Sequence, residues 1–135
     1  MILTMVEMYA MRQGRYSILN YQDQSWWVME REWYGNIRNV SSVPRGLYTL
    51  EAHSTDKYPH TWALIGLTVS HGPRLGIPRF ACVLHRAVYP TELEGCLTVC
   101  KSVSATGHSI DSVTAMGEIR ALLDAASGPI QLLMQ

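Results

Sequence analysis

Charge is scarce in this chain of 135 residues: only 16% of it is Asp, Glu, Lys or Arg, and eleven basic side chains balance eleven acidic ones. A balanced chain has no net field to gather nucleic acid or an anionic bilayer, so nucleic acid is not expected among its partners. Cysteine is sparse as well. Cys82, Cys96 and Cys100 make an odd count without a Cys-x-x-Cys pair, which fits reduced thiols better than a disulfide framework. His85, Cys96, Cys100 and His108 show no paired ligand spacing, so no metal site is expected, and no other cofactor. No apolar run approaches the ~20 residues of a membrane span. The opening Met1–Glu7 has no basic residue and is interrupted by Glu7, which is not the pattern of a secretory signal.

What the chain does have is apolar content, 47% of its residues. That is too much for a disordered segment and enough for one hydrophobic core. Most of it is arranged at period two. Ile2 to Met11 reads as a strand, with Tyr16 to Leu19 as its return and the next strand starting at Trp26. Leu47 to Ala52 alternates as a half-buried strand does. Thr61 to Val69, Phe80 to Val88 and Cys96 to Cys100 complete the run, separated by Gly- and Pro-rich turns. One helix is expected. Asp111 or Ser112 caps it, Val113, Met116, Ile119, Leu122 and Leu123 form its apolar stripe, and Gly128-Pro129 ends it before a short strand from Ile130 to Met134. Without a repeat or linker, residues 1–135 are expected to form a single domain. Its class is mainly β (α+β), a small barrel or sandwich of short antiparallel strands with one helix of the C-terminal half packed on it.

The most unusual local string is Glu94-Gly95-Cys96-Leu97-Thr98-Val99. A glycine before a cysteine at a strand entry lets backbone approach closely and leaves space around the sulfur. A thiol becomes a good nucleophile when a neighbouring imidazole lowers its pKa. His85 lies on the preceding strand, and a tight Tyr89–Gly95 connection can lay the two strands side by side, with cross-strand Cβ atoms roughly 5 Å apart. Cys96 and His85 are thus the candidate catalytic pair. Cys96 would attack a carbonyl, His85 would take and return the proton, and backbone N–H groups at Gly95–Cys96 would hold the oxyanion. Glu94 would orient His85 or hold a substrate ammonium, and Arg86 would bind a substrate carboxylate. The same residues also admit a plainer account. Free cysteine is commonly buried packing, Glu94 suits a solvated turn, and Arg86 alternates outward as surface arginines do.

The order of short motifs resembles a family of phage and bacterial proteins, the domain of unknown function 5675. Val83-Leu84-His85, followed at the family's spacing by Glu94-Gly95-Cys96-Leu97, is similar to its His and Gly-Cys segments. Val43-Pro44-Arg45-Gly46-Leu47-Tyr48, Ile77-Pro78-Arg79-Phe80 and Trp27-Val28-Met29-Glu30 resemble three others. The His…Gly-Cys arrangement is more distantly similar to the L,D-transpeptidases, cysteine enzymes acting on peptidoglycan stem peptides. This chain departs from both patterns. The family's His-x-Gly-Asn reads His85-Arg86-Ala87-Val88, Leu93 replaces a Thr or Ser, and Thr98 stands where the transpeptidases carry Arg. Lost Gly, Asn and Thr remove the small and polar groups that would surround a substrate carbonyl. The resemblance therefore implies a virion or assembly component with a degenerate site, partnered by other virion or assembly proteins. Its alternative is a cysteine peptidase or L,D-transpeptidase-like enzyme acting on peptidoglycan peptides. Either is expected to be made in a host cytoplasm, the first for incorporation into a virion.

Trp26, Trp27, Trp33 and Trp62, with seven tyrosines and seven methionines, supply amphipathic and adaptable area of the kind interfaces use. Adjacent Trp26 and Trp27 must point to opposite faces of their strand, so one is expected outside the core unless a partner, including another copy of the chain, covers it. His53, His60, His71 and His108 are expected as surface residues without partners.

Overall fold

Alternation produces the sheet. The computed structural model describes residues 1–11 and 13–135. In β1 (Ile2–Met11), Leu3 and Met5 are buried while Ile2 and Val6 are exposed. The strands β2 (Gly14–Tyr21), β3 (Gln24–Arg31), β4 (Gly46–His53), β5 (Thr61–Ile65), β8 (Thr98–Cys100) and β11 (Ile130–Met134) join β1 in one seven-stranded sheet. Its order is β5-β4-β11-β1-β2-β3-β8. A two-stranded parallel pair, β6 (Val69–Ser70) with β7 (Arg79–Phe80), and an antiparallel pair, β9 (Ser102–Val103) with β10 (Ser109–Ile110), lie outside it.

The sheet is mixed rather than wholly antiparallel. β11 follows the helix and enters between β4 and β1, pairing parallel to β1 with Leu3 opposite Leu132. A return through a helix permits this parallel register, whereas a tight turn would not. Two single bridges then join the sheet's ends through the 82–85 segment: Val83 pairs with Ala63 of β5, and Leu84 pairs with Leu97 just before β8. The curled half-barrel is held in that shape by the backbone bonds Leu84 N–H to Trp62 O at 3.2 Å and Leu97 N–H to Val83 O at 3.1 Å.

The helix α1 (Ser112–Asp124) starts where Asp111 accepts a bond from the Thr114 amide at 3.1 Å. Ala115, Met116, Ile119 and Leu123 are its buried side chains. They meet Leu3, Leu19, Val28, Leu50, Leu97 and Leu132 in the main core. Only about 10 Å³ of void remains there, at or below what one water needs, so the interior is dry and close-packed. Each such fully buried Leu or Ile stabilises the fold by about 1.5–3 kcal/mol through area removed from water.

The expected class, mainly β with one late helix packed on the strands, is the class found, and the expected small barrel or sandwich of antiparallel strands takes the form of a curled, mixed half-barrel. Three elements are shorter than period two suggests, Cys96–Cys100 being a strand only from Thr98. Thr61–Val69 breaks after Ile65, and Phe80–Val88 keeps only β7 and the two bridges. Ala81 stands at φ +55°, a left-handed conformation that ends a strand. Trp26 is 5% exposed in the core, while Trp27 lies half-buried on the opposite face, as adjacent strand residues must.

Candidate functional site

A second, smaller cluster forms on the outer side of the sheet, and Cys96 belongs to it. Tyr16, Met29, Ala63, Val83, Ala87 and Leu93 are its other buried members. Leu97 and Val99 point the opposite way, into the main core. The side-chain alternation expected across Cys96–Val99 therefore holds, and it places the sulfur outside the barrel wall but beneath a cover of side chains.

His85 and Cys96 reach the same side of the wall by a route other than a hairpin. The 83–85 and 96–98 segments run parallel, with Leu84 opposite Leu97. Parallel register sets Val83, not His85, beside Cys96. The Val83 N–H donates to Cys96 Sγ at 3.4 Å, and the thiol faces the Ala81 carbonyl at 3.7 Å. His85 falls opposite Thr98, whose hydroxyl donates to the His85 carbonyl at 2.7 Å. The imidazole stacks on Tyr58 with ring centroids 4.5 Å apart, and its Nδ1 lies 2.9 Å from the Arg86 carbonyl. A carbonyl only accepts, so Nδ1 carries the proton and Nε2 is left free.

The electrostatics oppose an ion pair between the two. Burial pushes the Cys96 thiol above its ordinary pKa, and the Glu94 carboxylate adds to that, although the Val83 amide works the other way. Burial lowers His85, and Lys57 adds to the effect. The resting arrangement is a neutral thiol and a neutral imidazole, whereas an activated cysteine needs both shifts reversed.

Gly95 has a different task from leaving room at the sulfur. It adopts φ +101°, and a Cβ placed there would lie on top of Arg79 Nη2 and 3.2 Å from its Cζ. Arg79 is 1% exposed. Its guanidinium donates to Asn36 Oδ1 at 2.8 Å, the Ser41 carbonyl at 2.9 Å and, more weakly, the Glu94 carbonyl at 3.5 Å. No ion pair forms on it among the described residues. Neutral oxygens satisfy this buried cation, and the glycine is what lets the chain pass over it. The Glu94 side chain itself is exposed.

Arg86 is exposed and lines a cleft of about 240 Å³ together with His85, Lys57, Tyr58, Thr61 and Arg120. Cys96 does not line that cleft. The structure thus brings His85 and Arg86 to one cavity, and Gly95 and Cys96 to a packed interior next to it.

Sequence reasoning missed a buried ionic network. Glu30 is fully buried, accepting from Arg45 Nη1 at 2.9 Å, and Arg45 Nη2 reaches Glu7 Oε1 at 2.6 Å. Arg15 Nε binds the same Glu7 oxygen at 2.6 Å, beside an open cavity of about 570 Å³ that Glu7, Arg15, Arg45 and Trp33 help to line. Burial raises the Glu30 carboxyl even against the pull of Arg45. Burial would also raise Glu7, but its bonds from Arg45 and Arg15 hold it below the ordinary carboxylate range. Burial alone would lower Arg45, yet the Glu30 and Glu7 charges raise it. A guanidinium keeps its proton in either case, so the proton in play belongs to Glu30. Period-two alternation put Glu30 on a strand face, and nothing local to it announced Arg45 fifteen positions on. The histidines expected without partners have them: His60 with Asp124 at 2.9 Å, His71 with Glu51 at 2.9 Å and with His53 at 3.2 Å, and His108 with Ser104 at 2.7 Å. Among the described residues no group of three or more His, Cys, Asp or Glu side chains is placed to hold a metal, and no helix is long and apolar enough to cross a membrane.

No family model, curated protein or solved structure matches the chain.

Proposed function

We propose that this chain is an interaction component of a larger protein assembly, of the phage type implied by its resemblance to the domain of unknown function 5675. In this reading the His85–Cys96 pair performs no chemistry. One observation carries it: Cys96 Sγ is 8% exposed at the residue level, engaged by the Val83 amide, and absent from the cleft that His85 lines. A nucleophile that substrate cannot touch and that burial keeps protonated gives little catalysis.

The outer face of the sheet supports the assembly half of the reading. Along the register, Ile2, Gln131, Thr49 and Ile65 make one row, and Leu47, Leu133, Thr4 and Asn20 the next. Val6, Ile18 and Trp27 continue it. None of these carries a charge, and Ile2, Val6 and Leu47 are 56%, 38% and 55% exposed. A charge-free, partly aromatic strip suits a neighbouring protein in an assembly more than open water.

The rival, a cysteine peptidase or L,D-transpeptidase-like enzyme, draws support from the shared cleft of His85 and Arg86, where a peptide carboxylate would fit. Incubation with peptidoglycan stem peptides separates the two. Wild type and Cys96→Ala should leave the peptides equally intact. Cleavage by the wild type that disappears in Cys96→Ala would overturn the non-catalytic reading. For the assembly half, a Val6→Lys/Leu47→Lys double variant should keep its fold and show less concentration-dependent association in sedimentation velocity. Unchanged sedimentation would count against that face.

A further inference from the structure

We propose that the cleft between the 57–61 segment, the 84–86 segment and α1 binds a small phosphomonoester. Three cations converge there from three separate parts of the chain: Lys57 from the loop after β4, Arg86 from beyond the second bridge, and Arg120 from the helix. The chain has equal numbers of acids and bases, and a carboxylate among these cations would have paired them. None lines this cleft.

Asp56, the chain neighbour of Lys57, is exposed and lies outside the lining, and two further acids are held by other groups. Asp124 holds His60 at 2.9 Å, and Glu92 Oε1 accepts from the Val88 and Tyr89 amides at 3.0 and 2.7 Å. Among the described residues, none of the three cations forms an ion pair. Arg120 Nε donates to the His60 carbonyl at 3.1 Å, and Lys57 lies over the Tyr58 ring at 5.2 Å. The guanidinium of Arg86 donates to no described group. Three like charges around about 240 Å³ repel one another, and an anion between them converts that repulsion into attraction.

The chemistry of the lining selects among anions. A carboxylate has one charge and two oxygens, enough for a single arginine fork. A phosphomonoester carries about −1.5 to −2 charges at neutral pH and three acceptor oxygens, one for each cation. A phosphodiester backbone has only one charge per phosphate and needs a continuous basic track rather than one local cleft. His85 adds a fourth group. With Nδ1–H held by the Arg86 carbonyl at 2.9 Å, Nε2 can accept from a protonated phosphate oxygen, or donate once it is itself protonated. Leu84, Pro59 and Met116 form the apolar part of the lining, where the carbon body of the ester would rest. The site stands on these residues alone and is independent of whether Cys96 is inert.

Titration calorimetry with glycerol phosphate, inorganic phosphate and acetate tests it, using the full chain and two variants, Arg86→Gln and Lys57→Gln. Both residues are exposed, so neither change should disturb folding. The wild type should bind glycerol phosphate at least about tenfold more tightly than acetate, and each variant should weaken phosphate binding about tenfold, equivalent to about 1.4 kcal/mol. Equal affinity for acetate, or phosphate binding undiminished in both variants, would overturn the assignment. Vesicles of phosphatidylcholine with phosphatidic acid form the remaining arm. Binding to them without binding to soluble glycerol phosphate would place the phosphate on a bilayer and refute a small-molecule site.

Discussion

Gly95→Ala is the substitution on which the account of the Gly-Cys string can fail. Two costs follow from the structure. An alanine at φ +101° leaves the allowed regions of an L-residue, at about 1–3 kcal/mol. Its Cβ would also collide with Arg79 Nη2, and Cζ stands 3.2 Å away. Arg79 cannot swing aside cheaply, because Asn36 Oδ1 and the Ser41 carbonyl hold it at 2.8 and 2.9 Å. Displacing it breaks at least one bond to a charged group, worth about 1.5–3 kcal/mol. Together the costs reach about 2.5–6 kcal/mol, a large share of the ~5–15 kcal/mol that holds an ordinary domain.

Urea unfolding followed by tryptophan fluorescence measures the loss, since Trp26 and Trp62 are each 5% exposed and report on the core. The discriminating step is to repeat Gly95→Ala in an Arg79→Lys background. Lysine keeps the charge and removes the two terminal nitrogens, so only the backbone strain should remain, about 1–3 kcal/mol. The two backgrounds should therefore differ by roughly 2 kcal/mol. Costs equal within about 0.5 kcal/mol would mean that glycine and arginine do not interact. The glycine would then have to be explained by its neighbour Cys96 after all.

Four further outcomes follow from the same structure. Thiol labelling at pH 8 should be slow at all three cysteines until urea is added: burial pushes Cys82 up to about 12 and Cys100 to about 11, leaving roughly 10⁻⁴ and 10⁻³ of each as thiolate. Cys96, 8% exposed, should label first of the three, and stoichiometric labelling within the mixing time would refute a sealed sulfur. Above the ordinary thiol pKa near ~8.5 the unfolded chain loses these protons while the folded chain keeps them. Stability should accordingly fall as pH rises toward about 11–12, by up to about 1.4 kcal/mol per pH unit per thiol, and alkaline urea titrations that show no such slope would exclude it. Glu30, raised by burial, likewise retains its proton in the folded state after the unfolded chain has lost it, so wild-type stability should decline as pH rises from the ordinary carboxylate range. In Glu30→Gln that segment of the profile should flatten, and an unchanged profile would assign the proton elsewhere. Ile119→Ala, at a helix position 1% exposed, should cost about 2–5 kcal/mol, and a thermal shift of only a degree or two would show that the helix is not seated in the sheet.

Legibility differed sharply between local and distant pairings. Leu3 and Met5 against Ile2 and Val6 can be read from spacing alone, because a strand exposes alternate residues. The helix is equally plain, since Asp111 and Gly128-Pro129 bracket a stripe of apolar residues and the observed span is Ser112–Asp124. The parallel approach of Leu84 to Leu97 could not be read. Two short segments eleven residues apart suggest a hairpin, and the direction of pairing was decided by something far away in the chain. The 82–85 segment must satisfy Ala63 of β5 through Val83 at the same time as Leu97 through Leu84. The charged pairs were hidden for the same reason: Glu7 and Arg45 are 38 positions apart, and His60 and Asp124 are 64 apart. The candidate site was legible as a list of residues and not as an arrangement. His85 and Cys96 do lie on one side of the wall, but the register sets Val83 beside the sulfur.

The Trp27–Glu30, Val43–Tyr48, Ile77–Phe80 and Glu94–Val99 segments are joined to one another by polar contacts. Glu30, from the Trp27–Glu30 segment, is bound by Arg45 of the Val43–Tyr48 segment at 2.9 Å. Within that second segment, the Tyr48 hydroxyl returns to the Pro44 carbonyl at 2.6 Å. Arg79, from the Ile77–Phe80 segment, crosses under the Glu94–Gly95 turn and donates to the Glu94 carbonyl. The Glu30–Arg45 pair tolerates few replacements, because removing one partner of a buried ion pair strands the other, at a cost of about 3–5 kcal/mol, whereas the Tyr48 and Arg79 bonds to carbonyls contribute less. A set of short motifs can thus be maintained by the demands of folding, with no reaction to explain them. On this view Gly95 accompanies Cys96 because Arg79 needs a glycine at that turn, while the carbonyl it takes from position 94 is one that any residue supplies. The sulfur needs neither. Arg79→Met separates the two accounts, because it should remove the steric part of the requirement for glycine at position 95, leaving the backbone strain, with the slow labelling of Cys96 unchanged. Fast labelling of Cys96 in that variant would mean that the arginine, and not packing, keeps the thiol quiet.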